Sequence, residues 1–298
     1  MKKILILLPA ALIMLLAYTG CEKEDENKGM MNLSMTDAPL DSDGIEEVYI
    51  TVSEIHYHTP DNNWQVFEEF EGPKKIELLE LVRGETEFLG SFEMEAGRYT
   101  QIRFMLDAPE FGGGPPTNPG CYVVLEDGSE ESLFVPSGWQ TGYKAVGAFE
   151  VPVNGSVDVT ADFDVRRSVR ESGAGRYILK PTIRLVVDDQ AGKITGGVSN
   201  IPEGKGIVIY AYEDGTYEPS EADDPDPDEM ETRFPNAVSS DKVCENNSYH
   251  LAFLASGLYD LVVVATEDGE FEEVLGIVEE IEVESRKNTS HPIDIEQL

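Results

Sequence analysis

Alternation of apolar and polar residues is the dominant pattern of this chain from about residue 31 onward. The clearest case is residues 102–106, where Ile102, Phe104 and Leu106 alternate with Arg103 and Met105. A period of two places successive side chains on opposite faces of a β-strand. The pattern therefore predicts a strand with one buried face.

Many short runs of this kind follow one another. In residues 45–57 the alternation changes register near Ser53 and Glu54, which predicts a β-bulge. The chain has 27 glycines and 17 prolines, and they separate the runs. The further predicted strands cover residues 64–67, 75–81, 86–94, 122–125, 132–135, 145–151, 157–163, 183–187, 206–212, 249–254 and 258–264. This order predicts an all-β protein with two antiparallel β-sandwich domains, residues 31–188 and 192–298.

The N-terminal residues show a different pattern. Lys2 and Lys3 precede an apolar run over residues 4–17, and Gly20 stands directly before Cys21. Such a run is shorter than the roughly 20 residues that span a bilayer, and it is typical of a cleaved signal peptide. The order of these features resembles a bacterial lipoprotein signal. We expect residues 1–20 to be removed and Cys21 to carry acyl chains that hold the protein to a membrane.

Residues 21–30 are too polar to bury apolar area and are interpreted as an acidic linker. Within it, residues 23–25 (Lys-Glu-Asp) resemble the motif that marks surface-exported lipoproteins in Bacteroidota. The motif favours the outer membrane, with the protein facing the cell exterior. The periplasmic face of the same membrane stays open as the alternative.

The charge balance excludes one class of partner. Asp and Glu number 58 against 22 Lys and Arg, a formal net charge of −36. Such a field repels phosphate backbones, so the sequence predicts no nucleic-acid partner. Beyond Cys21 the cysteines are Cys121 and Cys244, one in each predicted domain, and the sequence does not decide whether they pair.

Several ordered motifs in the first predicted domain resemble one family. They are residues 33–39 (Leu-Ser-Met-Thr-Asp-Ala-Pro), 96–103 (Ala-Gly-Arg-Tyr-Thr-Gln-Ile-Arg), 136–144 (Pro-Ser-Gly-Trp-Gln-Thr-Gly-Tyr-Lys), 162–165 (Asp-Phe-Asp-Val) and 177–184 (Tyr-Ile-Leu-Lys-Pro-Thr-Ile-Arg). Together they resemble the domain of unknown function 4382 family of secreted and lipid-anchored proteins. The resemblance implies no catalytic residues, because the family has no settled activity.

The second predicted domain carries a weaker motif over residues 249–264, a strand, a turn with Gly257 and Tyr259, and a valine-rich strand. This motif resembles carbohydrate-binding-like and prealbumin-like β-sandwich modules. The resemblance implies a spacer or a binding module.

Three aspartates of the family motifs allow two interpretations. Asp37, Asp162 and Asp164 suit turn caps and ion pairs at strand ends, with Asp37 ending an edge strand. Alternatively, they form a cation or sugar site near the sandwich rim. Lys144, Arg103 and Lys180 are the candidate ion-pair partners.

No catalytic, metal or cofactor site is predicted. Asp224, Asp226 and Asp228 have the spacing of a calcium loop, but prolines separate them and the glycine of an EF-hand is missing, so residues 221–231 are interpreted as a solvated loop. Whether this loop binds calcium stays open. His56 and His58 share a strand face without an identifiable third ligand. The chain is therefore predicted not to be an enzyme.

Two functions remain: a binding or adhesion module for a glycan or protein, and a structural subunit or spacer of a surface assembly. Loops at the ends of a sandwich commonly carry binding residues. The candidate ligand contacts are Trp139, Gln140, Tyr143 and Lys144. Trp139 could instead cap the domain core.

Overall fold

The computed structural model describes residues 27–38, 44–59, 63–108, 120–136, 141–172, 175–225 and 232–298. These residues are almost entirely β, which confirms the predicted fold class. The N-terminal half contains strands β1 (Lys28–Ala38), β2 (Ile45–His58), β3 (Trp64–Val66), β4 (Lys74–Glu77), β5 (Glu87–Glu95), β6 (Gly97–Leu106), β7 (Tyr122–Leu125), β8 (Glu130–Ser132), β9 (Tyr143–Val151), β10 (Ser156–Asp164), β11 (Val169–Ser172), β12 (Arg176–Leu179) and β13 (Ile183–Val187), and a short helix α1 (Val165–Ser168).

The C-terminal half follows after a 3₁₀ turn at Asp188–Gln190. Its strands are β14 (Ala191–Ser199), β15 (Gly206–Glu213), β16 (Ser239–Lys242), β17 (Ser248–Ala255), β18 (Gly257–Glu267), β19 (Glu270–Val283), β20 (Asn288–Ser290) and β21 (Ile293–Asp294). Further 3₁₀ turns lie at Pro219–Ala222 and Ile295–Gln297. The predicted domain boundary at 188–192 falls at the connection between the halves and stays a prediction.

One large sheet forms the N-terminal half, in the strand order β5-β1-β10-β13-β9-β6-β2-β7-β8, with β3 and β4 also paired to β2. The sheet is mixed rather than purely antiparallel, because β1 runs parallel to β10 and β13 runs parallel to β9. These partners are distant in sequence, so no tight hairpin forces them to run in opposite directions.

The large sheet folds over on itself and encloses one core. Phe92 of β5 stacks on Phe67, which follows β3, with ring centroids 4.3 Å apart. Lys74 of β4 donates a hydrogen bond to the carbonyl of Phe88 in β5 at 2.5 Å. The two distant parts of the sheet therefore face each other as in a sandwich.

The predicted features of β2 and β6 are confirmed. The pairing of β2 with β6 shifts between Val52 and Glu54, which is the predicted bulge. In β6, Ile102, Phe104 and Leu106 are buried. Their position in the core is what alternation predicts for a strand with one buried face.

Strand β1 differs from its prediction in two ways. It begins at Lys28, inside the predicted linker, where the Lys28 ammonium lies 2.8 Å from Glu93 Oε1 of β5. It is also an interior strand between β5 and β10, so the prediction that Asp37 ends an edge strand is wrong. Met31, Leu33 and Met35 are fully buried in the core on one face of the sheet, while β5 and β10 pair the backbone of β1 along both edges.

Two sheets pack face to face in the C-terminal half, β17-β14-β20 with β21, and β16-β15-β18-β19. Ile194 and Leu251 of the first sheet share a core with Ile209 and Val263 of the second. On its opposite face the second sheet packs against Phe234. Strands β15 and β18 are thus covered on both faces, which explains why their sequences are continuously apolar rather than alternating.

Arginines of the N-terminal half connect it to the C-terminal half. Arg166 of α1 is fully buried and donates hydrogen bonds to the carbonyls of Phe234 at 2.7 Å and Ala237 at 3.4 Å. Arg83 donates to Ser248 Oγ at 3.0 Å and lies 3.5 Å from Asp241 Oδ2. The halves are therefore joined by buried polar contacts as well as by the chain.

Within the described residues, no helix has the length and apolarity that crossing a membrane requires.

Candidate functional site

Four adjacent strands, β3, β2, β6 and β9, bring a row of cationic and aromatic side chains together. His58 pairs with Trp64 across β2 and β3, and His56 pairs with Arg103 across β2 and β6. Arg103 in turn pairs with Lys144 of β9. We call His56, His58, Trp64, Arg103 and Lys144 the Trp64 patch. Cross-strand neighbours on one face lie close enough for their side chains to interact.

The indole of Trp64 lies at the centre of this patch. The Arg103 guanidinium carbon is 3.8 Å from the ring centroid, and Lys144 Nζ is 5.9 Å from it. The His58 ring meets the indole edge-on, with centroids 5.0 Å apart. Cations at such distances are attracted to the electron-rich face of the indole. Trp64 therefore holds two positive charges beside each other.

The patch is cationic in a chain whose net charge is −36. Burial lowers the pKa of Arg103, yet a guanidinium stays protonated in proteins. Lys144 is exposed, and Glu54 Oε2 lies 2.8 Å from His56 Nε2. The arrangement offers an aromatic surface together with the basic side chains of Arg103 and Lys144.

Gly142 supports the position of Arg103 from the start of β9. Its φ is +60°, and a Cβ there would lie 2.7 Å from Arg103 Cγ and 2.5 Å from Met105 Sδ. Only glycine allows the backbone to approach so closely in this left-handed conformation. A larger residue at position 142 would therefore be strained and would displace the Arg103 side chain.

The structure describes two of the four predicted ligand contacts, Tyr143 and Lys144. Lys144 belongs to the Trp64 patch. Tyr143 is half-buried and its hydroxyl donates to the carbonyl of Pro136 at 2.9 Å, while burial raises the pKa of Tyr143 to about 12. This bond ties β9 to the preceding segment. Trp139 and Gln140 lie outside the described residues, as does the predicted lipidation site Cys21.

Sequence reasoning missed the central residues of the patch. The sequence pattern places Trp64 in the predicted strand 64–67 and Arg103 among the polar positions of residues 102–106, without a link between them. The pairing of β3 with β2 places Trp64 opposite His58 at the end of β2. The contribution of β6 required the register of strands distant in sequence.

The three aspartates of the family motifs serve turns and ion pairs. Asp162 accepts a hydrogen bond from Arg184 Nε at 2.7 Å, and Asp164 accepts one from the backbone of Arg167 at 3.0 Å and so caps α1. Asp37 accepts the Val165 N–H at 2.9 Å. Burial raises the pKa of Asp37 well above its ordinary value.

The partners of these aspartates were predicted wrongly in part. Arg184 pairs with Asp162, and Arg166 lies 3.3 Å from Asp164 Oδ2. Arg103 and Lys144 lie in the Trp64 patch instead. Arg184 faces Asp162 across β13 and β10, which follows from strand register, whereas Arg166 lies only two residues along the chain from Asp164.

The remaining candidates for ligand binding are the cysteines and the acidic loop. Cys121 is buried, Cys244 is exposed, and both are free thiols. Asp224 of the acidic loop pairs with Arg233, whereas residues 226–231 lie outside the described part of the chain. Across the described ranges, no three His, Cys, Asp or Glu side chains converge to hold a metal ion.

Comparison with known proteins identifies the family. The family model "Domain of unknown function (DUF4382)" matches residues 28–181, just over half of the chain. The chain belongs to this family. The match confirms the resemblance in the N-terminal motifs and ends shortly before β13. A comparison with curated proteins found no match.

Solved structures similar to this family member share little sequence with it. The TIE protein of Bacillus anthracis is 12% identical over 89% of this chain and 34% of its own, with a TM-score of 0.20. The minor pilin GBS52 of Streptococcus agalactiae is 13% identical over 89% and 94%, with a TM-score of 0.22. A candidate carbohydrate-binding protein of Pseudomonas aeruginosa is 12% identical over 37% and 91%, with a TM-score of 0.21.

This chain thus spans about a third of the Bacillus protein. At such TM-scores these similarities carry no conclusion about its function.

Proposed function

We propose that this protein is a non-enzymatic binding module, lipid-anchored at Cys21 on the outer face of the outer membrane, which binds glycans bearing carboxylate groups at the Trp64 patch. The observation that supports the ligand class most directly is the position of Arg103 and Lys144 around the Trp64 indole. The supports for the anchor are the apolar segment 4–17 and the residues that precede Cys21.

The chemistry of the patch suits an acidic sugar. The apolar face of a sugar ring packs against an indole, and an Arg or Lys side chain binds a carboxylate through charge-assisted hydrogen bonds. The remainder of the chain is strongly acidic and repels a polyanion. We therefore expect the ligand to present isolated carboxylates, as in a glycan with occasional uronic acid residues, rather than a continuous row of negative charge.

A structural spacer is the alternative function. It is supported by the buried contacts of Arg166 with Phe234 and Ala237, which join the two halves. A rigid connection between the halves suits a protein that presents another subunit at a fixed distance. It does not explain the cationic patch.

A glycan array with the wild type, Trp64→Ala and Lys144→Gln tests the proposal. Lys75→Gln is the matched control, because Lys75 Nζ also lies against an aromatic ring, 4.2 Å from the centroid of Tyr49, at another position on the same sheet. We expect the wild type and the control to bind uronate-bearing glycans equally. Both patch variants should bind at least about tenfold more weakly, equivalent to about 1.4 kcal/mol.

A fourth variant, Trp139→Ala, tests the contact predicted from sequence. Loss of binding in this variant as well would place the segment 137–140 at the same ligand. Absence of glycan binding by the wild type, or equal binding by all variants, would contradict the proposal and favour the spacer.

A further inference from the structure

A cleft lies where the two halves of the chain meet. It has a volume of about 340 Å³, which is within the range of small-molecule sites. The lining residues that bear on ligand binding are Asp188, Lys193, His250, Phe253, Arg286 and Lys287. We call it the junction cleft.

The charge of the junction cleft is opposite to that of the chain. Its lining includes Lys193, Arg286 and Lys287 but only one carboxylate, Asp188, whereas the chain has 58 Asp and Glu against 22 Lys and Arg. Asp188 accepts a hydrogen bond from Thr160 at 2.8 Å, and burial raises its pKa. The lining of the cleft therefore has more basic than acidic side chains, in contrast to the chain as a whole.

The three cations differ in their partners. Arg286 pairs with Asp189, and Lys287 Nζ lies 2.7 Å from Glu284 Oε2. Lys193 is exposed and makes no ion pair with any of the described residues. Its ammonium group is consequently the cation that is most available to a ligand.

His250 adds a polar group that its own surroundings do not satisfy. Its backbone N–H donates to Asp241 Oδ2 at 2.7 Å, and its side chain is packed so closely against Gly84 that a Cβ there would lie 3.3 Å from Cε1. Nε2 is buried and has no hydrogen-bond partner among the described residues. A buried polar atom without a partner is destabilising, and a ligand that supplies the partner is favoured.

Phe253 gives the cleft an apolar part. Its φ is +53°, a left-handed conformation that is strained for a bulky residue. The strain coincides with an irregularity between β14 and β17, where the pairing shifts between Gly192 and Ile194. Strained backbone of this kind concentrates at ligand sites, where it re-aims a side chain.

We propose that the junction cleft binds a small organic anion, with its oxyanion group at Lys193 and Arg286 accepting a hydrogen bond from His250 Nε2–H, and with an apolar portion against Phe253. The site is separate from the Trp64 patch, and the proposal does not depend on glycan binding there. The size of the cleft limits the ligand to a single small molecule.

Isothermal titration of the full-length chain, purified in detergent, with phenyl phosphate tests the inference. Phenyl phosphate joins an oxyanion to an aromatic ring, and benzyl alcohol is the uncharged comparison. Lys193→Gln removes the unpaired cation, and Lys242→Gln is the matched control because Lys242 is an exposed strand lysine that does not line the cleft.

We expect phenyl phosphate to bind the wild type and the control equally and to bind Lys193→Gln at least about tenfold more weakly. Both lysines are exposed, so both variants should unfold at the wild-type temperature. Failure of phenyl phosphate to bind the wild type at millimolar concentration would overturn the proposal. Equal binding by Lys193→Gln, or equal binding of benzyl alcohol, would also overturn it.

Discussion

Replacing Arg166 with alanine should reduce the free energy of unfolding by about 3–5 kcal/mol. The side chain is 1% exposed and crosses from α1 into the C-terminal half. Its guanidinium donates to the carbonyls of Phe234 and Ala237 and lies 3.3 Å from Asp164 Oδ2. The substitution removes all of these contacts at once.

The expected magnitude follows from the groups that are left behind. Each buried carbonyl that loses its donor costs about 1–3 kcal/mol. The cost at Asp164 is smaller, because its carboxylate keeps the hydrogen bond from the Arg167 backbone N–H. Arg166→Met keeps most of the apolar stem and should be about 1–2 kcal/mol less destabilising than Arg166→Ala, at about 0.8 kcal/mol for each buried methylene.

Urea unfolding at pH 7, followed by tryptophan fluorescence and circular dichroism, measures these differences. Arg167→Ala is the control, because this neighbouring side chain is 38% exposed and lies 3.9 Å from Asp164 Oδ2. It should lose less than about 1 kcal/mol. If Arg166→Ala reduced the free energy of unfolding no more than Arg167→Ala does, the contacts of the buried arginine with the C-terminal half would not stabilise the fold, and the reasoning would be refuted.

Three further predictions concern the pH dependence of stability, the backbone at Gly142 and lipidation at Cys21. Burial raises the pKa of Asp241 from 3.8 to about 6, so between these pH values the native chain binds more protons than the unfolded chain. The contribution of protonated Asp241 to the free energy of unfolding is therefore complete below about pH 4 and is lost as the pH rises through 6. Relative to Asp241→Asn, the free energy of unfolding of the wild type in urea should therefore fall by about 3 kcal/mol between pH 4 and pH 7. A difference in unfolding free energy between the two proteins that does not change with pH would contradict this. Gly142→Ala should lower the melting temperature more than Gly128→Ala, because both have positive φ but only Gly142 has atoms within 4 Å of the added Cβ; equal shifts would show that contact plays no part. Metabolic labelling with a fatty acid should mark the wild type and not Cys21→Ala, and equal labelling would exclude lipidation at this residue.

The features that sequence predicted well are those encoded in one strand. Ile102, Phe104 and Leu106 alternate without interruption, and the register change near Ser53 appears within β2 itself. In both cases the signal is local, because burial of one face directly imposes a period of two.

The features that sequence could not predict depend on which distant strands become neighbours. The parallel pairing of β1 with β10 joins Met30 to Ser156, and no turn motif connects them. The Trp64 patch likewise requires the register of β3, β2, β6 and β9 together. Arg166 was unexpected as a buried residue, because its carbonyl partners belong to a segment near Phe234.

The interior position of β1 determines how the fold responds to mechanical force. Tension applied through the N-terminal segment enters the folded structure at Lys28 and acts along β1. Because β1 is hydrogen-bonded to β10 over residues 30–38 and to β5 on its other side, the strand cannot peel away one bond at a time. It has to slide against both neighbours, which loads many hydrogen bonds in shear simultaneously. A chain held at its N-terminus and pulled by a bound ligand would therefore resist extension at this strand.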